Sequence, residues 1–566
     1  MLKYVLIAFA MFCGAMIGEP AAAQTGDHSV LAPLARIAPV ASCANLASLD
    51  LSPTTGAITK LEARDVPGTR AYCKVTGTIA RDINFEVRLP LGGWTQRFLQ
   101  TGCGGLCGML SIHLDNAEGC TPVTDGTIVL ASDDMGHHGI GSEWGENADQ
   151  RIDFAYRGNH LTTLAAKALI KAFYGQAPRF SYFSGCSDGG REALIAAQRF
   201  PDDFDGIAAG APALNFTVQN SFHHGWLAKS NTGAEGKAIL TAEDMPLLHR
   251  AVLKACDGLD GLVDGQITDP RACHFNPAKL ACAHGHPEPG KCLTDRQIVA
   301  VRAIYDGARS DTGKRLEVGP LMFGSELEWI GVFVPRDANG QISSAGMALG
   351  TINHVLFTPN PEYTIPTFPF TETMFRSEED ARKLYNADDP DLSLFAGHGG
   401  KLMLYHGWSD PHISPLNTID YYERVGQALS ASKRAGFVRL FMLPGMGHCG
   451  GGDGPSEFPL LTSLMAWVEG GSAPDGMTAH RPAQPALAGK QAGSRGRDGG
   501  PPPETLREIQ VRQAEVAKLG QRGRPIYAYP AVARYNGSGS PDVDTSFHSV
   551  TPSAVSGISD WIGSTH

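Results

Sequence analysis

The chain has no surplus of positive charge: 47 Lys and Arg stand against 58 Asp and Glu, a net of −11. A protein that binds a phosphate backbone needs such a surplus, so nucleic acid is excluded as a partner. Past the N-terminus it also lacks a run of ~20 apolar residues, the length that spans a bilayer. Its one long apolar stretch, residues 4–17, follows Lys3 and precedes Ala21-Ala22-Ala23. That layout is an export signal, with removal of residues 1–23 and no membrane anchor afterwards. No CxxC pair occurs, so a zinc-knuckle frame is missing. EF-hand spacing and internal repeats are missing too. What remains is a chain of 566 residues, 42% hydrophobic and 19% charged. Such a chain is globular and too long for one simple core. The expected location is secreted or periplasmic; the oligomeric state stays open.

Export changes how the cysteines are read. After signal removal eleven remain, and in an oxidising compartment most form disulfides. Eleven is odd, so at least one thiol is left over. The pairing of Cys43, Cys73, Cys103, Cys107 and Cys120 is open at this level.

Secondary-structure signals alternate. "INFEVRLP" (83–90) has strand periodicity, and "RFLQTGCGGLCG" (97–108) reads as a strand entering a Gly-rich loop. "TIVLASDDMGHHG" (127–139) is a continuous apolar run ending in polar residues, as buried parallel strands do. A helix follows over 158–175, then a strand at "RFSYFSG", then a helix that Pro201 stops. The rhythm resumes with "KLMLYHGWSD" (401–410), a helix near 414–428, "VRLFMLPGMGH" (438–448) and a helix over 459–471. Strand alternating with helix predicts a parallel α/β sheet. Between, residues 215–388 lose the pattern and carry four cysteines and many aromatics, which predicts an inserted lid domain. The two halves of the sheet domain are then 24–214 and 389–566. Within the second half, residues 482–523 are rich in Pro, Gly and charge and read as a surface insertion.

One stretch, "FSGCSDGGREAL" (183–194), holds G-x-S-x-G on a strand-to-helix turn. That is the setting of an α/β-hydrolase nucleophile, here Ser187. A serine needs a base, and the base needs a carboxylate to hold its tautomer; in this fold they follow in the order Ser, Asp, His. Asp410 and His448 close two later strands in that order. Cys186 precedes the serine and Cys449 follows the histidine. Paired adjacency favours a Cys186–Cys449 bridge over two buried core thiols. Such a bridge, with Cα atoms ~5.5 Å apart, keeps the Ser187 and His448 Cα atoms within roughly 13 Å.

"DFAYRGNH", "SYFSGCSDGGREAL", "HGWSDPHISP" and "GMGHCGGGDGP" resemble the tannase and feruloyl esterase family, which includes bacterial enzymes acting on mono(hydroxyethyl) terephthalate. The resemblance implies an α/β-hydrolase fold with a large lid, Ser187 as nucleophile, His448 as general base and acid, and Asp410 as its orienter. It implies an oxyanion hole from the backbone N–H of Asp188, where the family leads one to expect Thr. The Gly-rich loop would add a second donor, Gly104 or Gly105.

In "ACDGLDGLVDGQITDPRAC", three aspartates fall within eight residues, separated by glycines. Hard oxygen ligands at that density suit Ca²⁺, though a solvated acidic turn has the same composition. The resemblance implies a structural Ca²⁺ held by the side chains of Asp257, Asp260 and Asp264 and the carbonyls of Leu262 and Gln266. Bridges Cys256–Cys273 and Cys282–Cys292 would close the region. Trp329 and Phe333, at helical spacing, are named as substrate contacts. The pairs His137-His138 and His223-His224 read as core or surface residues, since neighbours do not put both rings on one metal.

The expected function is a secreted serine esterase cleaving esters of gallic, hydroxycinnamic or related aromatic acids through an acyl-enzyme. Its partner is a small aromatic ester. The alternatives are a terephthalate monoester hydrolase, a serine peptidase or acyltransferase, and a non-catalytic binding protein on the same fold. No lid arginine for a terephthalate carboxylate is evident in "GSELEWIGVFVPR".

Overall fold

A computed structural model describes residues 31–56, 58–114, 119–283, 288, 290–481, 523–552 and 560–565. The export signal at 1–23 and most of the 482–523 insertion lie outside the described residues. Gly523 itself belongs to a strand and pairs with His480, so the insertion reading ran one residue too far.

Nine strands form the central sheet: β1 (Ile58–Val66), β2 (Tyr72–Ile79), β3 (Ile83–Pro90), β4 (Arg97–Thr101), β5 (Val129–Asp133), β6 (Phe180–Cys186), β7 (Gly206–Gly210), β8 (Lys401–Gly407) and β9 (Val438–Leu443). Their order is β1-β2-β3-β5-β4-β6-β7-β8-β9. From β5 to β9 every pairing is parallel, as the alternation of strand and helix predicts. The β1-β2-β3-β5 edge is antiparallel, which the alternation did not indicate. The sheet is therefore mixed.

Two missed strands carry glycines at buried positions for a physical reason. β2 alternates strictly in burial, but Cys73 and Gly77 stand among its inward residues. Phe85, the cross-strand partner of Gly77, lies over it so closely that a Cβ would meet the ring at 2.6 Å. β7, "GIAAG", is wholly buried, and the rings of Tyr182 and Tyr405 on its neighbours fill the space its small residues leave.

Side chains on the parallel strands point alternately to two cores. Phe98, Phe183, Ile207 and Leu404 belong to one, and Leu99, Tyr182, Ala208 and Met403 to the other. Helices α1 (Gly158–Tyr174), α2 (Asp188–Arg199) and α3 (Leu416–Leu429) contribute to the first core. α4 (Leu460–Gly470) covers the second, with Leu460, Leu464 and Trp467 buried against it. A sheet covered on both faces by helices is the α/β-hydrolase architecture.

No described residue of 211–400 adds a strand to the sheet. This segment is built of helices, including Met245–Cys256, Asp295–Asp306 and Ser343–His354, joined by irregular turns. Its apolar side chains, Phe222, Leu248, Val301, Trp329 and Phe333 among them, are continuous with the first core and also pack on one another, Phe222 against Phe368 and Trp329 against Phe333.

Candidate active site

The turn from β6 into α2 forces Ser187 into a conformation few side chains adopt, φ 65° and ψ −120°. Its backbone is tied on both sides. Its N–H donates to the Gly210 carbonyl (3.0 Å), and its carbonyl accepts from Ala213 (3.0 Å) and Arg191 (3.1 Å). The flanking glycines are required by close approach: a Cβ on Gly185 would lie 2.3 Å from the Gly189 oxygen. The elbow therefore presents Ser187 between strand and helix at the carboxyl edge of the parallel strands.

Asp410 follows β8 and is fully buried. Its Oδ1 accepts the backbone N–H of His412 (2.8 Å) and of Ile413 (3.0 Å). Its Oδ2 lies 2.7 Å from His448 Nδ1 and 3.1 Å from His406 Nε2. Burial alone would raise this carboxyl. The charge of His448 and hydrogen bonds from His406 and His448 outweigh it, holding Asp410 well below the usual carboxylate range. With Nδ1 donating to Asp410, Nε2 is the basic nitrogen of His448. It is buried and has no hydrogen-bond partner among the described residues.

The Cys186–Cys449 bridge joins the elbow to the His448 loop, Cα to Cα 5.9 Å, across 263 residues. A ring of that size constrains the unfolded chain more than any shorter bridge here. Four further bridges are Cys43–Cys73, Cys103–Cys107, Cys256–Cys273 and Cys282–Cys292. Cys120 is the leftover thiol, buried.

At the start of α2, the carboxylate of Asp188 takes a bidentate hold from Arg191, Nε to Oδ1 2.6 Å and Nη2 to Oδ2 3.0 Å. Arg191 is fully buried, with Phe154 and Phe216 against its guanidinium, and donates to the carbonyls of Phe154 and Ala155. The Asp188 carboxylate is thus paired beneath the elbow, while its backbone N–H stays at the helix N-terminus. Gly104 and Gly105 are exposed in the adjoining loop. The loop's stem touches the elbow, where a Cβ on Gly102 would meet the Gly189 Cα at 2.7 Å.

Two histidines beside His448 escaped the sequence reading. His406 receives Thr418 Oγ1 at Nδ1 (2.7 Å) and directs Nε2 at two acceptors, Asp410 Oδ2 and the Ile413 carbonyl (3.1 Å). The His412 ring lies 4.8 Å from that of His448 and 5.6 Å from that of His224. Burial, and then the charge of His448, push His412 down to about 3, so it stays neutral beside that ring. The spacing HGWSDPH was the available signal, but it names no partner. His223 and His224 are both buried, His223 Nδ1 on Glu317 (2.5 Å) and His224 Nδ1 on Ser344 (2.9 Å).

In the acidic loop, Asp257 accepts the backbone N–H groups of Asp264, Gly265 and Gln266. Asp260 accepts from Leu262 N–H and the Thr268 hydroxyl, and Asp264 pairs with Arg524. Burial, followed by the charge of Asp264, pushes both Asp257 and Asp260 upward.

Trp329 and Phe333 are not where a ligand could touch them. Both are fully buried, packed on each other, with the Trp329 indole N–H on Ser325 Oγ (2.9 Å) and its ring against Tyr305. Helical spacing served the core of the segment, not a binding face.

A family model described as tannase and feruloyl esterase matches residues 66–550. The chain is 31% identical over 545 residues to a mono(2-hydroxyethyl) terephthalate hydrolase of Piscinibacter sakaiensis, covering 85% of each. The solved structure of an esterase from Aspergillus oryzae matches with a TM-score of 0.72 at 25% identity, over 90% of this chain and 99% of that one. Feruloyl esterase B from the same organism matches with 0.68 at 28% identity, over 86% and 91%. The chain belongs to the tannase and feruloyl esterase family, carboxylic ester hydrolases of the α/β-hydrolase fold.

Proposed function

We propose that this protein hydrolyses esters of aromatic carboxylic acids through an acyl-enzyme on Ser187. The observation that carries the reading is the Asp410–His448 pair, its basic Nε2 buried and unpartnered among the described residues, disulfide-linked to the Ser187 elbow. The Ser187 hydroxyl attacks the ester carbonyl as His448 Nε2 takes its proton. Asp410 holds the ring and stabilises the imidazolium, without itself taking the proton. The tetrahedral oxyanion is received by the backbone N–H of Asp188 and one from Gly104 or Gly105. His448 then returns its proton to the departing alcohol, and water repeats the sequence on the acyl-enzyme. The aromatic acyl class rests on the family and on relatives that act on feruloyl and terephthalate esters. A fluorophosphonate should label Ser187 in the folded protein, mapped by peptide mass spectrometry. Folded protein without an adduct there would favour a non-catalytic binding protein.

We infer also that Ca²⁺ is held by Asp257, Asp260 and Asp264 with the carbonyls of Leu262 and Gln266. What supports the reading is that three carboxyls share one short loop and two are raised by burial and by the third's charge, which a divalent cation would relieve; in this structure the three do not gather into one cluster, and Asp264 is held by Arg524. Chelation should lower the melting temperature by about 3 °C for a cation at 100-fold excess over its Kd. The initial rate at low temperature should stay unchanged. Immediate rate loss would place a metal near the chemistry instead. Five disulfides suit an oxidising compartment, in keeping with a secreted or periplasmic location.

A further inference from the structure

The bridge Cys103–Cys107 spans only four residues, and the turn it closes contains Gly104 and Gly105. So short a ring constrains the unfolded chain less than any of the other four bridges does. Its local effect is large. Gly105 (φ 65°) and Cys107 (φ 64°) are both left-handed, a conformation cysteine rarely takes. Cys107 N–H closes the turn on the Gly104 carbonyl (3.1 Å).

Both ends of this loop are pinned. Gly102 N–H donates to the Ser184 carbonyl on β6 (3.0 Å), and Gly108 N–H donates to the Asp134 carbonyl beyond β5 (3.2 Å). Beneath the turn, Glu192 of α2 is buried against the bridge itself. Its Oε1 accepts Cys103 N–H (3.3 Å) and lies 2.8 Å from Cys103 Sγ and 3.4 Å from Cys107 Sγ. Its Oε2 accepts from Asn159 Nδ2 (2.7 Å). Burial, then the charges of Asp188 and Asp133, raise its carboxyl well above the usual range. Asp188 Oδ2 is 3.5 Å from Cys107 Sγ.

The ligand atoms of Cys103, Cys107, Asp188 and Glu192 lie within 4.8 Å of one another, a spacing that could also hold a metal. A metal would need free thiolates, and Asp188 is already held by Arg191. The sulfurs are bonded to each other instead.

We propose that the Cys103–Cys107 bridge is a positioning device for catalysis: it holds the Gly104–Gly105 turn where a backbone N–H can receive the oxyanion, and Glu192 clamps the bridge to the elbow helix. This rests on the esterase reading of Ser187 given above. The effect belongs in the transition state, because the donor meets negative charge only there.

The test compares wild type with Cys103→Ala/Cys107→Ala on a matched oxo ester and thiono ester. Sulfur accepts hydrogen bonds weakly, so an oxyanion donor favours the oxo ester. The double variant should lose about 10-fold or more in kcat on the oxo ester, with KM within about twofold. Its oxo-to-thiono rate ratio should fall. An unchanged ratio, or equal losses on both esters together with a lower melting temperature, would make the bridge merely structural and overturn the proposal. If the double variant does not fold, Glu192→Gln should move the ratio in the same direction by less, and no movement there overturns it. Peptide mapping without reductant must show Cys103 and Cys107 joined; free thiols would also overturn it. Fluorophosphonate labelling of Ser187 separates the two levels. Label with an unmoved ratio sinks this proposal alone, whereas no label in wild type sinks the esterase reading beneath it.

Discussion

Ser187→Ala is expected to lower kcat on every ester tested by about 10⁶-fold. The loss is that large because the hydroxyl is the atom that bonds to the acyl carbon, and nothing else at the elbow can replace it. The fold should survive. The hydrogen bonds recorded for Ser187 run through its backbone N–H and carbonyl, and alanine keeps both. Melting temperature should therefore shift little while turnover disappears, a split that a kinetic assay and a thermal scan on one preparation would read. A variant with substantial residual activity would mean that another residue is the nucleophile.

Asp410→Asn should cost about 10⁴-fold in kcat with the geometry nearly intact. The reason lies in the donors that surround the carboxylate. Oδ1 faces the N–H groups of His412 and Ile413, and Oδ2 faces His448 Nδ1 and His406 Nε2. An amide keeps one oxygen, which the two backbone donors claim, so its NH₂ must face His448. That turns His448 Nδ1 into an acceptor and puts the ring proton on Nε2, where it can no longer take the serine proton. The same contacts set the pH dependence. Asp410 stays ionised well below the usual carboxylate range, so the acid limb of kcat/KM should follow a single proton. Because its folded pKa is depressed, the stability it confers is complete above the unfolded value of about 3.9. It is lost only as pH falls from there through the folded pKa. A two-proton acid limb would show that the carboxylate titrates with the base.

Much of this site was legible as local pattern. Ser187, Asp410 and His448 each follow a strand, in chain order, and two cysteines, one beside Ser187 and one beside His448, anticipated the bridge that spans 263 residues. Strands β3 to β6, β8 and β9 and the amphipathic helices announced themselves by pattern. β2 and β7 did not, because their glycines are filled by rings from neighbouring strands, and that compensation is visible only in three dimensions. His406 and His412 were missed for a related reason. A buried histidine becomes informative only when its partner is known, and each partner is set by the turn after β8. The aromatic residues show the opposite failure: Trp329 and Phe333 have a spacing that suits a binding face and a core equally, and burial placed them in the core. The five N-terminal cysteines allow many pairings, and the sheet edge and the elbow select Cys43–Cys73 and Cys103–Cys107.

The most direct measurement of the central claim is a hydrolysis panel run on wild type and Ser187→Ala in parallel. It would hold methyl gallate, methyl ferulate, a terephthalate monoester, an unsubstituted benzoate ester and a short aliphatic ester. The expected result is turnover of at least one aromatic-acid ester far faster than the aliphatic ester, absent in Ser187→Ala. Turnover confined to the aliphatic ester would contradict the aromatic assignment. Turnover that persists in Ser187→Ala would contradict the serine mechanism itself.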